Sequence, residues 1–308
     1  MQIKKFVERI IKPVAPAKPA KKIITINELW EEYLSSSSAL LTIGTVERKK
    51  SALKHLFKFF GDTQISEIDF VIIEKYLSFR KKEILNKDSN LGKREQEISF
   101  RTANIELAVL SSLLNFALRR GYLEKNPAAG IKKLNELSRL KTLSDSDIDK
   151  LIAGATNKLT RDLITFLIYT GCRKGEALNL KWDDVDLQNE VIAIKGTKTK
   201  YDRYIPISNV LKKVLEEINR QSDYVFCYKG KKLSNFKGSF KTACRRAGIK
   251  DLRVHDLRHV FASKMVMSGT SLYITGNLLG HRTPQMTMRY AHLAPYTLKK
   301  AVDDVWGK

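Results

Sequence analysis

The sequence predicts a mainly α protein with a small β-sheet, arranged as a helical N-terminal half followed by an α+β C-terminal half. Three observations predict this. The chain has 308 residues, too many for one small core, so two domains are the natural expectation. Apolar residues recur at helical spacing from about residue 26 to residue 130. Farther on, Glu190–Lys195 and Arg203–Ile207 read as two strands of one hairpin.

The elements follow in order. Ile3, Phe6, Val7, Ile10 and Ile11 form one helical stripe, and the Pro-rich run 13–22 then breaks any helix and reads as a stiff, extended linker. This first stretch, residues 1–22, holds seven Lys/Arg and one Glu, a net +6. Ile26, Leu29, Trp30, Tyr33 and Leu34 make the next amphipathic face. Val46, Leu53, Leu56, Phe57 and Phe60 make another, and Phe70, Ile73 and Leu77 suggest a third, short helix. A long helix from about Ser99 to Arg119 points Leu107, Leu110, Leu114 and Leu118 inward, and Gly121 and Pro127 stop it. The helical domain therefore spans 23–130. Residues 131–142 read as a linker, and a second domain runs from 143 to 308, opening on Ser144 or Asp145 as an N-cap.

Charge and cysteine content narrow the function classes. The formal net charge is +23, from 56 Lys+Arg against 33 Asp+Glu. Such self-repulsion is most often tolerated for a polyanionic partner, although ribosomal or membrane-surface binding would give the same number. Lys49, Lys50, Lys54, Arg101 and Arg119 decorate the helical half and are candidate DNA contacts. Cys172, Cys227 and Cys244 form no Cys-x-x-Cys pair, which suits free thiols in a reducing cytosol. No apolar run approaches the ~18 residues that span a bilayer, and the start lacks the continuous apolar stretch of a secretory signal.

Chemistry-bearing residues gather in the second half. Arg173 stands in Thr-Gly-Cys-Arg-Lys-Gly-Glu (170–176), one turn from Glu176 on the same face. On its own that pair would be an ordinary ion pair. Lys198 lies near the tip of the hairpin, eight residues before Pro206, and Lys200 competes for its place and is a further candidate DNA contact. His255 and Arg258 are three apart on an expected helix. His255 and His259 are four apart, but His-Asp-Leu-Arg-His lacks the Glu of the zinc-binding His-Glu-x-x-His helix, and no metal is expected. His281 sits in Leu-Leu-Gly-His-Arg-Thr-Pro, where Gly280 ends one helix and Thr283 and Pro284 begin another. Tyr290 follows nine residues later, in Arg-Tyr-Ala-His.

Arg173, Lys198, His255, Arg258, His281 and Tyr290, in this order and spacing, resemble the tyrosine recombinase/integrase family, in its phage integrase and Xer-like branches. The resemblance implies a SAM-like core-binding domain and an α+β catalytic domain closing as a C-shaped clamp on double-stranded DNA with an inverted-repeat core site. It implies that Tyr290 attacks the scissile phosphate to give a 3′-phosphotyrosyl link, with His255 as base. Arg173 and Arg258 would bind the non-bridging oxygens, His281 would add a hydrogen bond, Glu176 would support the site and Lys198 would protonate the leaving oxygen. It further implies no cofactor, a homotetramer on synapsed DNA with the tail containing Leu293, Leu298, Val302, Val305 and Trp306 packed on a neighbouring protomer, and a cytoplasmic, nucleoid-associated enzyme. A type IB topoisomerase or a non-catalytic DNA-binding protein of the same fold are the alternatives.

Overall fold

The computed structural model describes residues 24–37, 41–86, 93–135, 140–195, 202–294 and 298–307. The basic arm 1–22 and the lysines Lys198 and Lys200 lie outside these residues. The chain divides into two compact units, Met1–Ser138 and Arg139–Lys308.

The first unit is a helical bundle of α1 (Ile26–Ser37), α2 (Ile43–Phe60), α3 (Phe70–Asn86) and α4 (Lys93–Arg119). The apolar stripes pack as their spacing requires: Ile26, Leu29, Trp30 and Tyr33 meet Leu53, Leu56, Phe60, Leu107, Leu110 and Leu114 in one core. Helix α4 is the hub, touching each of the other three. Two expectations need correction. The third helix is not short, since it runs 17 residues, and its first residue Phe70 is 45 % exposed while Tyr76 joins Ile73 and Leu77 in the core. Leu118 faces outward, 36 % exposed, because the buried face of α4 runs through Leu113, Leu114, Phe116 and Ala117.

A buried polar network ties α3 to α4. Arg80 grips the fully buried Glu106 through Nε–Oε2 at 2.8 Å and Nη2–Oε1 at 2.9 Å, and the Tyr76 hydroxyl donates to Oε2 at 2.6 Å. Such a carboxylate is tolerable inside a core only when fully hydrogen-bonded. Among the candidate DNA contacts, Lys49 is half-buried and already donates to the Tyr33 hydroxyl at 2.6 Å and to Ser112 Oγ at 3.1 Å. Lys50 lies 3.6 Å from Glu47, while Lys54, Arg101 and Arg119 are exposed.

The second unit opens with α5 (Asp145–Gly154), capped by Ser144 and Asp147 in a reciprocal box, followed by α6 (Lys158–Thr170) and α7 (Lys174–Asn179). A three-stranded antiparallel sheet follows, β1 (Val185–Asp186), β2 (Val191–Ile194) and β3 (Arg203–Pro206), with Ile192 opposite Ile205. The first of these strands was not expected, being only two residues long. Helix α8 (Asn209–Glu216) and a small hairpin, β4 (Cys227–Tyr228) and β5 (Lys231–Lys232), lead to α9 (Lys237–Arg246). Then come α10 (Asp256–Met267), α11 (Leu272–Leu279), the short α12 (Gln285–Met288) and α13 (Leu298–Trp306). The core is centred on α6, where nearly every residue from Thr160 to Thr170 is buried against the sheet, α8 and α10. Val302, Val305 and Trp306 of α13 are exposed. Among the described residues, no helix is long and apolar enough to cross a membrane.

Candidate active site

Four chain segments bring the site together. Helix α6 stops because Gly171 takes up a left-handed conformation (φ +62°), and a Cβ there would meet the Phe261 ring at 2.4 Å. Only glycine fits both constraints. The Gly171 carbonyl then accepts from Arg258 Nη1 at 2.9 Å, and the Leu279 carbonyl at the end of α11 accepts from Nη2 at 2.5 Å. Arg258 is thus fixed by two backbone oxygens, 4 % exposed. Burial and the nearby charges of Arg173 and Arg203 bring its pKa down to about 10, so it keeps its charge at neutral pH.

Arg173 caps α7 and is half-exposed. Its backbone N–H donates to Glu176 Oε2 at 2.8 Å and its Nη1 to Oε1 at 2.7 Å. The opposite side of Glu176 is taken by Arg203 at the start of β3, Nη2 to Oε2 at 2.7 Å, and Arg203 Nε anchors to the Leu278 carbonyl at 2.9 Å. Burial alone would raise the Glu176 carboxyl. The hydrogen bonds and charge of Arg203, with those of Arg173, instead hold it at about 2. Glu176 is therefore a permanent anion shared by two guanidiniums. Arg203 carried no signal in the sequence beyond opening a strand, because its partners lie 27 and 75 residues away.

Cys172, next to Arg173, is a packing residue. Burial pushes its thiol up to about 11, so no reactive thiolate forms.

Tyr290 lies in the turn after α12, 1 % exposed, among Phe261, Ala262, Val266 and Leu279. Burial raises its pKa, partly opposed by the charges of Arg289 and Arg258. Its hydroxyl oxygen sits 2.5 Å from His259 Nδ1. The sequence reading paired Tyr290 with His255 instead. His255 precedes α10, is exposed, and packs edge-on against the His259 ring with centroids 5.3 Å apart. Its pKa is lowered by desolvation and by Arg258.

His281 follows Gly280, which ends α11 in a left-handed conformation (φ +66°). Its Nδ1 lies 2.7 Å from Thr287 Oγ1, leaving Nε2 for another partner. Burial and the charges of Arg258 and Arg173 bring it down to about 4, so it is neutral at pH 7. The N-cap of α12 is Pro284 and not the expected Thr283, whose carbonyl only accepts from the Met286 N–H at 3.1 Å.

His255, Arg258 and His281 each feel the charge of Arg173, which places the four in one electrostatic neighbourhood. Arg173 and His255 also line a broad groove with Lys237, Lys241, Arg245, Lys250 and Arg253. These five were not singled out from the sequence. The signal was present, since residues 229–253 hold nine Lys/Arg and one acidic residue. Among the described residues no His, Cys, Asp or Glu cluster could hold a metal ion.

One buried guanidinium, one half-exposed guanidinium, neutral imidazoles and a buried phenol form a set suited to a phosphate ester. Residues 141–296 match the model of the phage integrase family, and residues 25–134 match that of the phage integrase SAM-like domain. The integrase of Haemophilus phage HP1 (strain HP1c1) is 30% identical over 269 residues, covering 85% of this chain and 75% of that protein. The integrase of Escherichia phage 186 is 29% identical over 286 residues, covering 90% and 80%. Among solved structures, a lambda integrase tetramer bound to a Holliday junction superposes with a TM-score of 0.71 at 17% identity, covering 94% of this chain and 84% of that one. The Tn1549 transposon integrase in complex with a circular intermediate DNA gives 0.74 at 16% identity, covering 93% and 100%. At such identities these structures speak for the fold alone. The chain belongs to the phage integrase family of tyrosine recombinases, enzymes that cut and rejoin DNA strands at specific sites.

Proposed function

We propose that the chain recombines duplex DNA at an inverted-repeat core site, with Tyr290 as nucleophile and a 3′-phosphotyrosyl intermediate. The observation that carries this reading is the buried Tyr290 hydroxyl, set within the field of the doubly anchored Arg258. Attack by the phenol oxygen forms a P–O bond while the bond to the 5′ oxygen breaks. Arg173 and Arg258 offer paired N–H donors to the non-bridging oxygens, whose charge grows in the pentavalent state. Glu176 holds Arg173 from behind. His281 donates through Nε2, His255 faces the phosphoryl group, and Lys198 protonates the departing 5′ oxygen. The phosphotyrosyl bond conserves the energy of the ester, so strand joining to a different 5′-hydroxyl requires neither nucleotide nor metal.

Lys50, Lys54, Arg101 and Arg119 of the helical unit and Lys200 of the catalytic unit serve as DNA backbone contacts. The enzyme works in the cytoplasm on the nucleoid or on an incoming element. It assembles as a tetramer on two synapsed sites, with α13 of each protomer packed on the next, as its exposed Val302, Val305 and Trp306 favour. Rapid denaturation of expressing cells, followed by sequencing of protein-linked DNA, tests the reading. Adducts should cluster at paired positions a few base pairs apart and vanish in Tyr290→Phe. Adducts that persist in that variant overturn the assignment. Formation of Holliday junctions from two matched duplexes separates recombination from strand relaxation.

A further inference from the structure

We propose that His259 is the general base that takes the Tyr290 proton. The inference rests on the reading of Tyr290 as nucleophile and goes one step beyond it. The only hydrogen-bond partner of the Tyr290 hydroxyl among the described residues is His259 Nδ1, at 2.5 Å. His255, to which the family resemblance assigned this task, has no such bond.

The geometry explains why the sequence misdirects the choice. His255 precedes the first turn of α10, whereas His259 lies one turn further in, next to Arg258. The turn after α12 brings Tyr290 down onto that second position. Both rings of the pair are tied into the fold: the phenol is in the small core with Phe261, Ala262, Val266 and Leu279, and the imidazole is flanked by the His255 ring. The bond is therefore a fixed feature of the site rather than a surface encounter.

The charged and titratable groups around His259 come from three segments. His255, Asp256 and Arg258 share its helix end, Arg289 and Tyr290 come from the turn after α12, and His281, whose own titration feels His259, comes from the end of α11. Burial and then Arg289 bring His259 down to about 4 in the free enzyme, so its ring is neutral across the physiological range. In its Nε2–H tautomer the neutral imidazole presents Nδ1 as the acceptor for the phenol proton. A phosphodiester bound between Arg173 and Arg258 offsets the cations that suppress protonation of His259. As the phenol oxygen bonds to phosphorus, its proton becomes acidic and passes to Nδ1. On rejoining, the P–Oη bond breaks and the same proton returns to Tyr290. His255 is then left to face the phosphoryl group.

The test uses the full chain and a nicked duplex built on a cleavage position mapped as above, with either oxygen or bridging sulfur at the 5′ leaving position. His259→Asn keeps an acceptor near the place of Nδ1 but removes the base, and His259→Ala removes both. For His259→Asn we expect adduct formation to fall about a hundredfold or more at pH 7, within the usual range for a general base. Its rate should climb steadily with pH, and DNA affinity should be unchanged. The sulfur leaving group should not rescue it, because its defect is at the nucleophile. His255→Gln should keep the pH profile of the parent enzyme. A wild-type rate and pH profile in His259→Asn, or rescue of that variant by the sulfur substrate, overturns the proposal. Should His259→Asn fail to bind DNA, the Tyr290 phenol titration, followed by ultraviolet difference against Tyr290→Phe, decides in its place. In His259→Ala that titration should move from its wild-type position, and an unmoved titration overturns the proposal. If the parent enzyme forms no adduct at Tyr290, it is the underlying functional reading that fails instead.

Discussion

Arg203 sets the electrostatics of the site without facing its centre. It shares Glu176 with Arg173, so the carboxylate does not fully neutralise the guanidinium that is to meet phosphate. Arg203→Met should leave DNA affinity within a few-fold while slowing adduct formation on a nicked substrate about tenfold to a hundredfold, because Glu176 then closes on Arg173 alone. An unchanged rate would remove Arg203 from the site. The same carboxylate leaves an acid signature. Its folded pKa of about 2 lies below the ordinary value, so its contribution is present above the unfolded pKa and is lost as pH falls toward the folded one. Between pH 5 and pH 3 the parent enzyme should lose about 2 kcal/mol more stability than Glu176→Gln, measured by urea unfolding. Arg173, Arg258 and Tyr290 stand out as candidates in the sequence through strong local strings, and His255 and His281 through their spacing to those. Arg203 and the Tyr290–His259 bond do not, since both depend on segments brought together from 27 or more residues apart.

At the level of elements, helix ends do much of the positioning. Gly171 ends α6, admits the Phe261 ring where a Cβ would clash, and presents its carbonyl to Arg258. Gly171→Ala should destabilise the catalytic unit by roughly 2 kcal/mol or more, combining left-handed strain with overpacking. It should also slow cleavage, because the carbonyl at 171, one of the two that anchor Arg258, is displaced; a variant with full stability and rate would contradict this account of the α6 end. In the helical unit, Arg80→Leu leaves Glu106 buried and uncompensated, and should cost about 3–5 kcal/mol in thermal or urea unfolding. Element types were readable from periodicity, whereas their extents were less so. The α3 helix continues past the apolar triplet because Tyr76, Arg80 and Ile84 extend its buried face through a hydrogen-bonded network that no hydrophobic pattern marks. The two-residue strand β1 is too short to show alternation and exists only by pairing with β2.

At the level of the whole molecule, the length of the chain and the linker read at 131–142 suggested two domains, and the chain divides into two compact units at Ser138 and Arg139. The size of the basic groove was not legible, since its lysines and arginines come from loops as well as from α9. Neutralising Lys241 and Arg245 together should lower the slope of log K against log salt by about 2, measured on duplex DNA by anisotropy; an unchanged slope would place DNA elsewhere. The central claim, that Tyr290 carries the phosphoryl group, is tested most directly by isolating the covalent complex, digesting protein and DNA, and sequencing the linked peptide by mass spectrometry. The account predicts one nucleotide-bearing peptide, modified at Tyr290 through a 3′-phosphate, with a free 5′-hydroxyl on the other DNA end. Modification of a different residue, or a 5′-phosphate linkage, would contradict it.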